Sequence, residues 1–256
     1  MSKHCSLHTL AFLLAVCLSF QALPAGAQDE SLSSLAARAR ECGVCSETLD
    51  RVLDSAGESQ VTEPEGASLI RPLIEACDLR LPLNPFCEKL EEGLSKHVRP
   101  PLIVRALQLK IEDYVFARSL LPGPQEEINP RLLTILGEGL SKGTPRADVE
   151  AYVGEFSSQP PEPFLAGAEM VCLLGQVRFD YGLTRTMLEA GFKSGGLDGE
   201  WRFFIWTVLV ARQRGITDPQ IAHEAVLVLA DKGAPSDVSS RLGFSSRNLS
   251  GRSSVK

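Results

Sequence analysis

The chain has 256 residues, 44% of them hydrophobic and 23% charged, which is enough apolar material for a packed core and argues against wholesale disorder or a collagen-like composition. Lys and Arg total 26 against 32 Asp and Glu, a net charge of −6, without the basic excess that binding a phosphate backbone needs. Nucleic acid is therefore not an expected partner.

Residues 1–27 read as a secretory leader. Lys3 and His4 open it, an apolar stretch runs from Leu10 to Leu23, and Ala25-Gly26-Ala27 supplies a small-x-small exit before Gln28. Ser19, Gln21 and Pro24 interrupt the stretch, which falls short of the roughly 20 apolar residues of a spanning helix. A lipoprotein box at Leu14-Ala15-Val16-Cys17 is the weaker alternative, because Val16 is bulky where such boxes carry a small residue. No later segment is apolar and long enough to span a bilayer. The expected location is the periplasm or the medium of a bacterium.

Cys42, Cys45, Cys77, Cys87 and Cys172 follow the leader, the first four within a 46-residue window. In an oxidising compartment four clustered cysteines are expected to form two disulfides, in any of three pairings. Cys42-Gly43-Val44-Cys45 also admits two weaker readings. A redox pair would need one sulfur at a helix N-terminus in a strand-helix context, and Cys42 instead closes a helix. A zinc site would need a tighter second pair than Cys77 and Cys87. No cofactor is implied, since Ser46 stands where a covalent haem motif carries histidine. Cys172, in the apolar run Met170 to Leu174, reads as an inert buried thiol.

The remaining chain shows helical periodicity and no convincing two-residue alternation. A short helix is predicted over residues 85–97, with His97 near its last carbonyls, and Pro100-Pro101 opens the next. That next helix is the plainest: Leu102, Ile103, Ala106, Leu107, Ile111, Tyr114, Val115 and Leu121 form its core face, while Arg105, Lys110, Glu112 and Arg118 point elsewhere. Glu92-Gly93-Leu94-Ser95-Lys96 recurs 46 residues later as Glu138-Gly139-Leu140-Ser141-Lys142. Lys142-Gly143-Thr144-Pro145 recurs 90 residues later as Lys232-Gly233-Ala234-Pro235, and Arg214 to Pro219 is a looser relative. Each reads as a helix stop and restart, with glycine left-handed at the stop and Thr144, Asp218 or Ser46 capping the helix that follows.

The fold expected is all-α: stacked antiparallel helical hairpins with a unit of roughly 46 residues. Two lobes are expected, over residues 28–156 and 164–241, with a proline-rich linker at 157–163 and a disordered serine-rich tail at 242–256. The most apolar segment, Trp201 to Val210, reads first as a core helix. The functional alternative is a groove for an apolar ligand or peptide, bordered by Trp201, Phe204 and Trp206 with Phe203 on another face. His223 reads as a surface histidine, since no G-x-S-x-G elbow accompanies it.

No catalytic residue emerges. The expectation is a binding or scaffolding protein of the bacterial cell envelope that presents a helical face to a protein or peptide partner. The alternatives are thiol exchange by Cys42 and Cys45 and carriage of a hydrophobic ligand. The oligomeric state stays open.

Overall fold

In a computed structural model describing residues 30–58, 60–123 and 128–244, the backbone forms twelve α-helices and, among the described residues, no strand. The leader, and the tail from residue 245 onward, lie outside the described residues. In chain order the helices are α1 (Leu32–Glu41), α2 (Ser46–Gly57), α3 (Glu63–Asp78), α4 (Asn84–Ser95), α5 (Pro100–Leu120) and α6 (Pro130–Ser141). They continue with α7 (Arg146–Phe156), α8 (Pro161–Gln176), α9 (Tyr181–Ser194), α10 (Phe204–Gln213), α11 (Asp218–Ala230) and α12 (Pro235–Arg241). A 3-10 turn, Gly199–Phe203, leads into α10.

The stops follow one design. Nine helix ends among the described residues carry a left-handed residue just past the helix: Arg80, His97, Arg178 and Lys232, and glycines 43, 143, 195, 215 and 243. At each, the amide of the next residue donates to a carbonyl five residues back, as Val44 does to Ala39, Leu81 to Ala76 and Phe179 to Leu174, at 2.8 to 3.0 Å. This is the Schellman closure, which satisfies end carbonyls and folds the following side chain inward. Val44, Leu81, Thr144, Phe179 and Phe244 are accordingly buried.

Five details of the sequence reading change here. His97 serves the stop through its backbone, at φ 51°, rather than as a side-chain cap, and Lys232 rather than Gly233 takes the left-handed position. Thr144 does not cap α7. It is buried and its hydroxyl donates to the Cys172 carbonyl at 2.8 Å, tying the turn to α8. Thr217, one residue before Asp218, caps α11 through a box with Gln220, which leaves Asp218 free to pair with Arg212. The C-terminal boundary moves too, because the closure at Gly243 carries Phe244 into the core beneath the Arg214 guanidinium, 4.9 Å from its ring.

Helices α1, α3, α5, α6 and α8 pack in succession, each on the next. α2 lies along α3, α4 lies against α5, and α7 flanks α8. Beyond α8, α9 pairs with α11, and α12 rests on α10 and α11. Pro161 and Pro163 sit in the first turn of α8, where a missing N–H costs nothing, so only residues 157–160 connect α7 to α8. The rings of Tyr152 and Phe164 stack across that connection at 4.9 Å, and one cluster of buried side chains runs from Leu32 to Phe244.

Candidate functional site

The polar feature with the most built geometry lies where α4 and α6 both pack on α5. Gly137 lets α6 approach so closely that a β-carbon there would fall 2.6 Å from the Tyr114 ring, and Gly93 does the same for α4 against Ile103 at 2.7 Å. Drawn in by these contacts, Lys110 is buried, against the expectation that it faces solvent. Its ammonium lies 2.5 Å from Glu138 Oε1, and it sits over the rings of Phe86 and Tyr114 at 5.8 and 6.0 Å. The Tyr114 hydroxyl donates to the same oxygen at 2.9 Å, and Lys142 approaches Glu138 Oε2 at 3.3 Å.

Ionisation in the cluster follows from these partners. Burial raises the Glu138 carboxyl, but the Lys110 hydrogen bond and charge, the Tyr114 hydroxyl and Lys142 together outweigh it and hold the group below its ordinary value. Burial first, then the Glu138 charge, pushes the Tyr114 phenol well above the normal range. Near neutrality Glu138 is thus a carboxylate and Tyr114 a neutral phenol, both engaged with one another and Glu138 with Lys110. Above it opens a cleft of about 390 Å³, bordered by Glu88 and Glu92 of α4, Leu109 and Asp113 of α5, and Ser141 and Lys142 of α6. Asp113 is held by Arg146 at 3.0 Å, and Glu92 by Lys89 and Lys96.

The cysteines come together as two bridges, Cys42–Cys77 and Cys45–Cys87, with Cα separations of 6.0 and 6.3 Å. Of the three pairings open to the sequence, this one sends the two cysteines of the C-x-x-C to different helices, α3 and α4. The turn between α1 and α2 is thereby riveted at both ends. A dithiol that cycles within one motif would pair its own two sulfurs, and all four sulfurs are committed elsewhere. Cys172 is the free thiol among the described residues, buried, and its thiol is pushed up to about 12 by burial and by Glu169.

The aromatic helix divides. Trp201 and Phe204 are 1% and 0% exposed and pack on each other at 5.5 Å, so they are core side chains. Trp206 and Phe203 are 53% and 51% exposed, with Arg202 stacked on Phe203 at 4.7 Å. The groove drawn through Trp201, Phe204 and Trp206 is not assembled on one surface, because Trp201 and Phe204 face the core while Trp206, about 160° around α10 from Phe204, faces outward. His223 is exposed beside Glu224, which pairs with Arg241 at 2.6 Å.

Sequence reasoning missed Lys110, Tyr114 and Glu138 as a unit. The signal was present: residue 110 falls between Leu107, Ile111 and Tyr114 on the apolar face of its helix, where a lysine needs an anion to meet it. Comparison of the chain with protein-family models, curated proteins and solved structures finds no match, so the functional reading rests on this geometry.

Proposed function

We propose that this protein is an exported helical binding or scaffolding protein of the bacterial cell envelope, and that the cleft over α5 receives a protein or peptide partner. The observation that carries the reading is the cleft: a concavity of about 390 Å³ with fixed charges at its base and half-exposed Leu109 on its border. Charges so fully engaged, with ionisation set away from neutrality, suit recognition better than proton transfer. Export is supported by the two disulfides, which persist in an oxidising compartment, together with the leader-like residues 1–27.

The repeated hairpin belongs to the same proposal. His97 and Gly143, 46 residues apart, hold the same left-handed role after α4 and α6, and Arg80 and Arg178 hold it after the 16-residue helices α3 and α8. A body of such units presents successive helix faces, and the α4, α5, α6 cleft lies between three of them.

A photo-crosslinking amino acid placed at exposed Ser141 is the test. In intact cells it should give a discrete adduct with one other polypeptide, lost in Lys142→Glu, while the same label at exposed Gln213 on α10 should not. Equal labelling at both positions, or no adduct at Ser141, refutes the assignment. Thiol titration provides the second arm: a scaffold holds one thiol, hidden until unfolding, whereas cycling of Cys42 and Cys45 with a mild reductant would restore thiol exchange.

A further inference from the structure

Helix α5 is the longest described, at 21 residues, and its inward face carries Ile103, Leu107, Lys110, Ile111 and Tyr114. Its outward face is not the polar surface that such burial leads one to expect. Leu102 and Leu109 are 49% and 50% exposed. They belong to a longer seam, exposed Leu102, Arg105, Leu109 and Glu112 and half-buried Phe116, whose spacing alternates three and four. At about 100° per residue these five positions fall within an arc of roughly 80°, the geometry of a stripe that meets another helix.

The order of chemistry along the seam is what names the partner. Leu109 stands at the centre, with Arg105 one turn before it and Glu112 one turn after, and apolar Leu102 and Phe116 at the two ends. Among the described residues neither Arg105 nor Glu112 has an ion-pair partner. Seven residues apart, they sit about 10.5 Å from each other along the axis, too far to pair within the helix. Turned end over end, the seam complements itself: Leu109 meets Leu109, Arg105 of each copy faces Glu112 of the other, and Leu102 packs on Phe116. A lipid surface would have no use for the acid in the stripe, and an unrelated partner would not require the near-palindrome.

We propose that this outward seam of α5 is the two-fold interface of a homodimer, formed by a second copy of the chain lying antiparallel. An isologous contact uses one patch twice, so each charge pair and each end contact occurs in duplicate. The seam borders the α4, α5, α6 cleft at Leu109 without filling it, since Glu138 and Ser141 line the opposite side of that opening. Phe116 is held in place by Arg146, whose guanidinium lies 4.9 Å from the ring and is itself anchored by Asp113.

Sedimentation equilibrium on the disulfide-intact mature chain, across micromolar concentrations, tests the proposal. The wild type should dimerise, and Leu109→Asp should be monomeric with an unchanged circular dichroism spectrum. Arg105→Glu or Glu112→Arg alone places like charges opposite each other twice and should weaken association by about tenfold or more. The combined R105E/E112R chain should recover it, which a general loss of folding or solubility could not produce. A wild type that stays monomeric, a dimer that survives Leu109→Asp, or a double swap as weak as the single swaps overturns the assignment. Should Leu109→Asp fail to fold, the two exposed charge swaps and their combination decide the matter alone.

Discussion

Replacing Lys110 by methionine tests the buried cluster most directly. The lysine side chain is 9% exposed and that of Glu138 is 24% exposed, so removing the ammonium leaves a largely desolvated carboxylate behind. Breaking a fully buried pair costs about 3–5 kcal/mol. Here the penalty is reduced, because Lys142 and the Tyr114 hydroxyl stay on Glu138 and methionine fills the path of the lysine stem beside Phe86. A loss of about 2 kcal/mol is expected for Lys110→Met, and a similar one for Glu138→Gln, which strands the ammonium. The double variant should lose less than the two singles combined, by about 1–2 kcal/mol, since each partner is costly chiefly in the absence of the other. Urea titration with disulfides intact measures all four chains, with the slope unchanged and only the midpoint moving. The acid limb adds a sign. Glu138 is held below its ordinary 4.5, so its contribution is complete above that pH and fades as pH falls through the lowered value; Lys110→Met should flatten that decline. Losses below about 0.5 kcal/mol, or additivity of the two changes, would refute the idea that the pair is desolvated.

The disulfides close loops of 35 and 42 residues, and the chain-entropy relation puts about 4 kcal/mol on each. Cys42→Ser with Cys77→Ser should therefore lower the urea midpoint more than any surface substitution, and a loss under about 1 kcal/mol would show that the reduced chain is already constrained. Gly154 lies within α7 with open space around it, so Gly154→Ala should stabilise by up to about 1 kcal/mol. Gly143 also has open space but stands at φ +97°, and Gly143→Ala should destabilise by about 1–2 kcal/mol; the same sign at both positions would contradict the backbone argument. Ellman titration should find one thiol, silent in the native state and reactive in denaturant, because burial pushes Cys172 up to about 12.

The helical class was legible, as were the helices placed over residues 85–97 and from Pro100, because apolar residues recur every three to four positions and because prolines mark restarts. Pro100, Pro130, Pro161 and Pro235 each fall in a first turn. The stops were half legible. Glycine takes the left-handed position at five of them and Gly233 marks a sixth one residue late, but Arg80, His97 and Arg178 adopt the same strained conformation with no glycine beside them. At Arg80 and Arg178 the residue that follows, Leu81 or Phe179, is drawn into the core, and that is a tertiary effect. The pairing of the cysteines was equally invisible, since it depends on how α3 and α4 lie beside the first turn. Within the aromatic run, Trp201 and Trp206 lie about 140° apart even on a continuous helix, so spacing alone already argued against one shared face, and the 3-10 turn over Gly199–Phe203 breaks the register between them as well. Lys110 was misread for a simpler reason: its charge outweighed its position.

The crossed bridges also decide how the chain would carry a mechanical load. Tension applied at the two ends would reach Cys45 and pass through its sulfur to Cys87, leaving the intervening chain, a sequence separation of 42, slack. Roughly 140 Å of extensible chain is thereby withheld. Helices α2 and α3, enclosed between the bridged cysteines, would act as a stiff unit, and stretching would begin in the helices outside it.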